Sequence, residues 1–142
     1  MTNKKKLGQF FTEPIIADFM VSLGLMPKTQ SILDPTAGEG IFIKTINKKN
    51  NNYKKTAFEI DPLIANQFNS CISDVNTKLL INDYLTYDLN KKFDLIICNP
   101  PYNKFQEINN RKDLINLFYK KYNIKLSGYS NYCIYFLIKS IN

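Results

Sequence analysis

The chain has no histidine, three cysteines and a single arginine among its 142 residues. Without histidine, Ser-His-Asp and Cys-His catalysis are excluded, and so are zinc sites that use histidine ligands. The cysteines, Cys71, Cys98 and Cys133, form no Cys-x-x-Cys pair. We therefore expect no metal site, and buried thiols in the reducing environment of the cytoplasm.

Long hydrophobic runs are also lacking. No segment reaches the run of about 18 apolar residues that a membrane-spanning helix needs. The first residues carry lysines rather than the apolar core of a secretory signal. The length suits one domain with a real core, and we find no internal repeat and no second domain.

The charge is strongly positive, at +7, and almost all of it comes from lysine. A basic balance suits an acidic partner such as nucleic acid. The chain is also rich in asparagine and isoleucine, which AT-rich codons encode, so genome composition explains the lysine excess equally well. The charge alone does not decide for DNA binding.

Short apolar segments typical of strands alternate along the chain with segments of helical apolar spacing, and this order predicts an α/β fold. Helical spacing of Ile15, Phe19 and Leu23 predicts a first helix, capped by Thr12 and ended by Gly24. Because strands that are apolar on both faces alternate with helices, we expect a doubly wound, mostly parallel sheet. The predicted strands are residues 31–34, 55–60, 79–82 and 93–98, and the predicted helices are 12–24, 41–47, 62–72, 113–122 and 131–141.

No strand is predicted after residue 98, so the sheet is expected to be incomplete. Its last helix has no following strand to cover. Either the chain is a fragment, or another element or chain completes the sheet.

Residues 34–40, Asp-Pro-Thr-Ala-Gly-Glu-Gly, follow the first predicted strand. Gly38 and Gly40 allow the main chain to approach a ligand where a Cβ would clash. The segment lacks the Gly-Lys-Ser/Thr of a P-loop and the third glycine of Gly-x-Gly-x-x-Gly. An acidic residue inside this turn favours a cationic ligand such as S-adenosylmethionine over a pyrophosphate. The alternative is a tight turn that needs glycine for its geometry alone.

Two more acids follow strands at the same sheet edge. Glu59 ends the second predicted strand, about 20 residues after the glycines, where a carboxylate accepts hydrogen bonds from ribose hydroxyls. Asp83 follows the third strand, within reach of an adenine amino group. Together with Asp34, these strand ends predict a nucleoside pocket.

Asn99-Pro100-Pro101-Tyr102 follows the fourth predicted strand. The prolines stiffen the backbone and leave carbonyl oxygens to accept hydrogen bonds, while Asn99 adds an amide and Tyr102 a flat ring. This cluster suits a planar group that bears an NH2, and the alternative is a rigid turn with a buried aromatic. Cys98 is interpreted as strand core, because no histidine is available to activate a thiol nucleophile.

These motifs, in this order, resemble the N6-adenine DNA methyltransferases of restriction–modification systems, in their gamma arrangement. The resemblance covers residues 8–14, 34–40, 58–62, 82–84 and 93–102, and then Asn131 with residues 136–139. It implies a Rossmann-like class I methyltransferase fold, S-adenosyl-L-methionine as cofactor, and double-stranded DNA as partner. It also implies that the target adenine is flipped out of the duplex.

The resemblance also implies residue roles. The residues that would grip the flipped adenine are Asn99, Pro100, Pro101 and Tyr102. The residues that would bind the cofactor are Thr12 at the methionine end, Asp34, Ala37, Gly38 and Gly40 along it, Glu59 at the ribose, and Ile60, Asp83 and Tyr84 at the adenine.

The sequence departs from this family in lacking later strands and a target-recognition domain. We interpret residues 1–142 as the N-terminal part of a single catalytic domain, and expect weak or no methyl transfer by the isolated chain. One alternative is a non-catalytic, cofactor-binding remnant or subunit that needs a partner chain. Another is a methyltransferase for a glutamine amide or for guanine N2 of ribosomal RNA, because these share a similar Asn-Pro-Pro-Tyr motif.

Overall fold

The computed structural model describes residues 12–102 and 110–142, so residues 8–11 of the predicted cofactor segment lie outside the described part. The chain divides into two compact units. Among the described residues, we call 12–99 the sheet unit, and 100–102 with 110–142 the C-terminal unit. The elements in chain order are α1 (Pro14–Gly24), β1 (Ser31–Asp34), α2 (Ile41–Lys49), β2 (Lys54–Glu59), α3 (Pro62–Cys71), β3 (Thr77–Ile81), β4 (Leu95–Ile96), α4 (Arg111–Tyr122) and α5 (Tyr132–Ile141).

The four strands form one parallel sheet in the order β3-β2-β1-β4. This confirms the predicted parallel α/β fold. The fourth strand is shorter than predicted, at Leu95–Ile96. The N–H groups of Asp94 and Ile97 nevertheless donate to the carbonyls of Ser31 and Leu33, at 3.0 and 2.9 Å, so the pairing extends one residue beyond the strand at each end.

The core of the sheet unit lies between one face of the sheet and helices α1 to α3. Residues paired across a parallel ladder share a face, so Ile32 and Asp34 of β1 lie on the same face as Ala57 of β2. Glu59 lies on this face too, two residues further along β2. Two buried clusters cover it: Ala17, Val21, Ile32, Phe42, Ile46 and Ile97, and then Ala37, Ile43, Ala57 and Phe68.

Helix α1 begins one residue later than a Thr12 cap requires. Pro14 is its first residue, and Glu13 occupies the N-cap position without a side-chain hydrogen bond. Proline suits the first helical position because its fixed φ is already helical and no N–H is needed there. The predicted cap at Thr12 is therefore wrong.

Helix α1 does not pack through the face that carries its large apolar residues. Ala17 and Val21 are fully buried, whereas Ile15, Phe19 and Leu23 are 65–77% exposed. Helix α1 thus packs on its neighbours through its smaller side chains.

The expectation of buried thiols is wrong. Cys71 is exposed, and Cys98 and Cys133 are half-buried. Cys98 also lies beyond β4, so it is not strand core. Strand β4 pairs only with β1 among the described strands, and that edge position leaves its neighbourhood partly open.

The C-terminal unit contains α4 and α5. Its buried centre is aromatic: the ring of Phe118 packs edge-to-face on Tyr122 and Tyr135, with centroid separations of 5.2 and 5.1 Å. Across the described residues, every helix is too short or too polar to cross a membrane.

Candidate active site

The glycine loop, residues 35–40, joins β1 to α2. Gly38 and Gly40 have φ values of +55° and +84°, in the left-handed region that favours glycine. A Cβ on Gly40 would also lie 2.9 Å from Cδ2 of Phe68. Backbone conformation and close packing therefore require glycine at position 40 with or without a ligand.

Glu59 holds the glycine loop against the end of β2. Its Oε2 accepts a hydrogen bond from the Gly38 N–H at 2.9 Å, and its Oε1 accepts from the Asp61 N–H at 2.8 Å. Burial raises the pKa of Glu59, and these backbone hydrogen bonds oppose the rise. The Ile60 N–H opposes the rise as well. A carboxylate has about four lone-pair sites, so capacity remains to accept from a ligand hydroxyl.

Asp34 is completely buried at the end of β1. Its Oδ1 accepts from the Thr36 N–H at 3.1 Å, while Oδ2 has no hydrogen-bond partner among the described residues. Burial raises the pKa of Asp34 to about 7; the Thr36 N–H opposes the rise, and the charge of Glu59 adds to it. A buried carboxylate with an unused oxygen is stabilised by a nearby cation, so the site fits a positively charged ligand.

The residues predicted to hold adenine occupy different environments. Asp83, half-buried after β3, accepts the Leu85 N–H at 2.9 Å. The ring of Tyr84 is buried edge-to-face against Phe58, at 5.3 Å between centroids. Ile60, directly after Glu59, is 55% exposed. The predicted adenine contacts of these residues remain predictions.

Asn99 is held from two sides by residues distant in sequence. Its side-chain Nδ2 donates to Oγ1 of Thr12 at 3.1 Å. Its main-chain carbonyl accepts from the hydroxyl of Thr36 at 3.2 Å. The sequence predicts site roles for Thr12 and Asn99 but not for Thr36. A threonine in a turn does not indicate which distant residue its hydroxyl will contact.

The remaining residues of the Asn-Pro-Pro-Tyr motif belong to the C-terminal unit. The Pro101 carbonyl accepts a weak hydrogen bond from the thiol of Cys133, at 3.6 Å. Tyr102 is 59% exposed. The predicted roles of Pro100, Pro101 and Tyr102 remain predictions.

The described geometry thus places two groups of predicted residues in the sheet unit. The first is the glycine loop with the two acids that end β1 and β2. The second is Asn99 with its threonine partner, joined to the first through Thr36. The predicted residues in these groups are Thr12, Asp34, Ala37, Gly38, Gly40, Glu59 and Asn99.

Solved structures similar to this chain have the same fold. A candidate RNA methyltransferase from Pyrococcus horikoshii is 18% identical, with a TM-score of 0.64 over 98% of this chain and 60% of that one. Coclaurine N-methyltransferase, solved with N-methylheliamine and SAH, is 19% identical, with a TM-score of 0.53 over 63% of this chain and 30% of that one. These likenesses establish a Rossmann-like methyltransferase fold.

Curated relatives match the whole chain. Type II methyltransferase M.AccI of Acinetobacter calcoaceticus is 35% identical over all of this chain and 26% of its own length. Type II methyltransferase M.HincII of Haemophilus influenzae is 30% identical over 99% of this chain and 26% of its own. The chain therefore spans about a quarter of the length of these relatives.

A shorter match involves an RNA-modifying enzyme. The tRNA1(Val) (adenine(37)-N6)-methyltransferase of Aliivibrio fischeri is 36% identical over 50% of this chain and 32% of its own length. The family described as N-6 DNA Methylase matches residues 1–142, the complete sequence. Together with the whole-chain relatives, this match shows that the chain belongs to the N-6 DNA Methylase family.

Proposed function

We propose that this chain is part of an adenine-specific DNA methyltransferase that transfers a methyl group from S-adenosylmethionine to N6 of an adenine. The observation that carries the proposal is the linkage of Asn99 to the glycine loop through Thr36, beside a buried acid suited to a cation. Family membership supports the reaction class. The type II names of the relatives support a restriction–modification context.

The carboxyl edge of the sheet supplies the cofactor residues. S-adenosylmethionine, when bound, supplies a methyl group on a positively charged sulfur. Asp34 would complement the positive charge at the methionine end, and Glu59 would accept from the ribose hydroxyls with its remaining lone pairs. The exposed side of Ile60 would pack on the adenine ring of the cofactor.

The Asn-Pro-Pro-Tyr motif would hold the target base. The amino nitrogen of adenine is a poor nucleophile because its lone pair is delocalised into the ring. Hydrogen bonds from this NH2 to the Asn99 amide oxygen and the Pro100 carbonyl would localise the lone pair. Tyr102 would stack on a base flipped out of the duplex. Positioning of this kind supplies much of the rate acceleration, and no histidine base is required.

The proposal extends to domain organisation and location. Residues 1–142 would form the N-terminal part of a methyltransferase catalytic domain, with DNA recognition supplied by a separate domain or subunit. We expect weak methyl transfer by the chain alone for this reason. A cytoplasmic location accords with the cysteines, because Cys71, Cys98 and Cys133 form no disulfide bond among the described residues.

The test is identification of the methylated product. The chain is incubated with radiolabelled S-adenosylmethionine and, separately, duplex DNA, tRNA, ribosomal RNA and a release-factor protein, and the labelled nucleosides or amino acids are separated. We expect N6-methyladenine from DNA, at low yield. Label in tRNA adenine would show that the substrate is RNA, which is the substrate named for the Aliivibrio relative. Label in N2-methylguanine or in methylglutamine would contradict the proposal.

Asn99→Ala is the matched control. This variant should retain S-adenosylmethionine binding, measured by titration calorimetry, and lose all label in DNA. Cofactor binding without label from either protein would instead support a non-catalytic subunit. Equal labelling by both proteins would show that Asn99 has no part in the reaction.

A further inference from the structure

Three hydrogen bonds form a continuous line from the buried acid of β1 through Asn99 to Thr12. The Thr36 N–H donates to Oδ1 of Asp34 at 3.1 Å, and the Thr36 hydroxyl donates to the Asn99 carbonyl at 3.2 Å. The Asn99 amide then donates to Oγ1 of Thr12 at 3.1 Å. All four residues belong to the sheet unit, so this line lies within one compact body.

Thr36 occupies a position that can hold Asn99 firmly. It follows Pro35, which is buried and has a restricted φ, and its own N–H is already engaged with a fully buried carboxylate. The main chain that carries the Thr36 hydroxyl is anchored in this way. Its contact with the Asn99 carbonyl therefore fixes the peptide that leads into Pro100.

The two contacts on Asn99 have complementary effects. The bond from Thr36 fixes the main chain, and the bond to Thr12 determines which way the side-chain amide faces. With Nδ2 directed at Thr12, the direction of Oδ1 is set as well. A reacting group held in this way needs little reorganisation when substrate binds.

We propose that Thr36 is a positioning residue for methyl transfer, whose hydroxyl sets the orientation of the Asn99 main chain and links it to the cofactor loop. The inference rests on the proposed function, because it assumes that Asn99 contacts the target amino group. Thr36 itself contacts neither the substrate nor the reacting atoms in this account. Its effect is transmitted through Asn99.

The test compares Thr36→Val, which removes the hydroxyl at nearly constant shape, with Thr36→Ser, which keeps it. We expect Thr36→Val to lower kcat for DNA methylation by roughly 10- to 100-fold, as small misplacements of reacting groups do. The KM for S-adenosylmethionine should stay within about twofold, because only the orientation of Asn99 is lost. Thr36→Ser should restore most of kcat.

Thr45→Val is the matched control. The Thr45 hydroxyl also donates to a main-chain carbonyl in the sheet unit, that of Ile41 at 2.8 Å, but this bond lies inside α2. This variant should leave kcat close to that of the parent chain. A Thr36→Val protein with unchanged kcat would overturn the proposal, and so would a Thr36→Ser protein as impaired as Thr36→Val.

A second readout does not depend on methyl transfer. A protein labelled with 13C-asparagine and 15N-proline gives main-chain carbonyl and Cα resonances of Asn99, identified by the coupling of this carbonyl to Pro100, because no other asparagine precedes a proline. These resonances report on the orientation of the Asn99 main chain, which accepts the bond from Thr36. They should shift in Thr36→Val and stay in place in Thr36→Ser and Thr45→Val. If the parent chain labels a substrate other than DNA adenine, the proposed function fails while this spectrum still decides the positioning role. Unmoved Asn99 resonances in Thr36→Val would overturn it.

Discussion

At the amino ends of β3 and β4, acidic side chains accept several hydrogen bonds each. Asp74, just before β3, accepts from Nζ of the fully buried Lys55 at 2.8 Å and from the Thr77 hydroxyl at 2.7 Å. Burial alone would raise the pKa of Asp74, but these hydrogen bonds outweigh it and lower the pKa to about 2. Oδ2 of Asp94, just before β4, accepts from the Gln30 N–H and from both the N–H and the hydroxyl of Ser31.

At the carboxyl ends of β1 and β2, in the same sheet, burial outweighs the hydrogen bonds that the acids receive. Asp34 is fully buried with one unused oxygen among the described residues, and burial raises its pKa to about 7. Burial also raises the pKa of Glu59, although hydrogen bonds from the backbone N–H groups of Asp61, Gly38 and Ile60 oppose the rise. Acids at the amino ends therefore stabilise the fold, whereas those at the carboxyl ends reduce stability when ionised and are suited to a cationic ligand.

The largest expected effect comes from breaking the ion pair at the amino ends. Asp74→Ala should lower the free energy of unfolding by roughly 3–5 kcal/mol, because it leaves the Lys55 ammonium buried without its counter-charge. The remaining partner would be the Asn51 carbonyl, at 2.9 Å. Urea unfolding followed by circular dichroism measures the loss.

The double variant Lys55→Met, Asp74→Leu is the control for this pair. It removes both charges and should recover most of the stability, as replacement of buried ion pairs by apolar residues does. A loss below about 1 kcal/mol in Asp74→Ala would mean that the pair behaves as a surface ion pair.

The second effect concerns pH and the carboxyl end. Between about pH 4 and pH 7 the unfolded chain has released the Asp34 proton while the folded protein still holds it. The free energy of unfolding should therefore fall as pH rises through this window, with a contribution on the order of 4 kcal/mol. Asp34→Asn should lack this contribution, measured as the difference between the urea unfolding curves of the two proteins across pH 4–8.

Asp74 supplies the opposite sign in the same experiment. Its folded pKa of about 2 lies below the unfolded value of 3.8, so its contribution is present above pH 4 and is lost as pH falls toward 2. An Asp74→Asn protein should keep the slope between pH 4 and 7. Identical slopes in the parent chain and in Asp34→Asn would contradict the assignment of this slope to Asp34.

The smallest effect is expected at Asp94. Three hydrogen bonds, the one from Gln30 first, lower the pKa of its carboxyl, but the side chain is exposed and water can replace the lost bonds. Asp94→Asn should therefore lower the melting temperature less than Asp74→Ala does. Ser31→Ala, which removes one of the three donors, should have a smaller effect still. An Asp94→Asn loss equal to that of Asp74→Ala would show that exposure does not set the ranking.

The fold followed from the sequence because its signals are local. Apolar strands alternate with helices, and the glycine motif and Glu59 follow β1 and β2 where a parallel sheet places its ligand edge. Burial was harder to predict, since the packed face of α1 is the one with Ala17 and Val21 rather than the larger side chains. Which apolar face is covered depends on the neighbouring helix.

The long-range polar contacts could not be predicted from residue patterns. Lys55 looks like a strand-end surface lysine until the fold brings Asp74 beside it. Thr36 and Asn99 are 63 positions apart, and neither segment contains a pattern that predicts contact with the other. Side-chain hydrogen bonds of this kind depend on tertiary geometry, which leaves no periodic trace in the sequence.

The central claim is that the buried acids at the carboxyl edge, Asp34 and Glu59, bind a cationic cofactor. The most direct test is thermal melting of the chain with and without S-adenosylmethionine, with NAD as the control ligand. We expect S-adenosylmethionine alone to raise the melting temperature, with about 2.7 kcal/mol of stabilisation at a hundredfold excess over Kd. A cooperative melt that S-adenosylmethionine does not shift would contradict the claim.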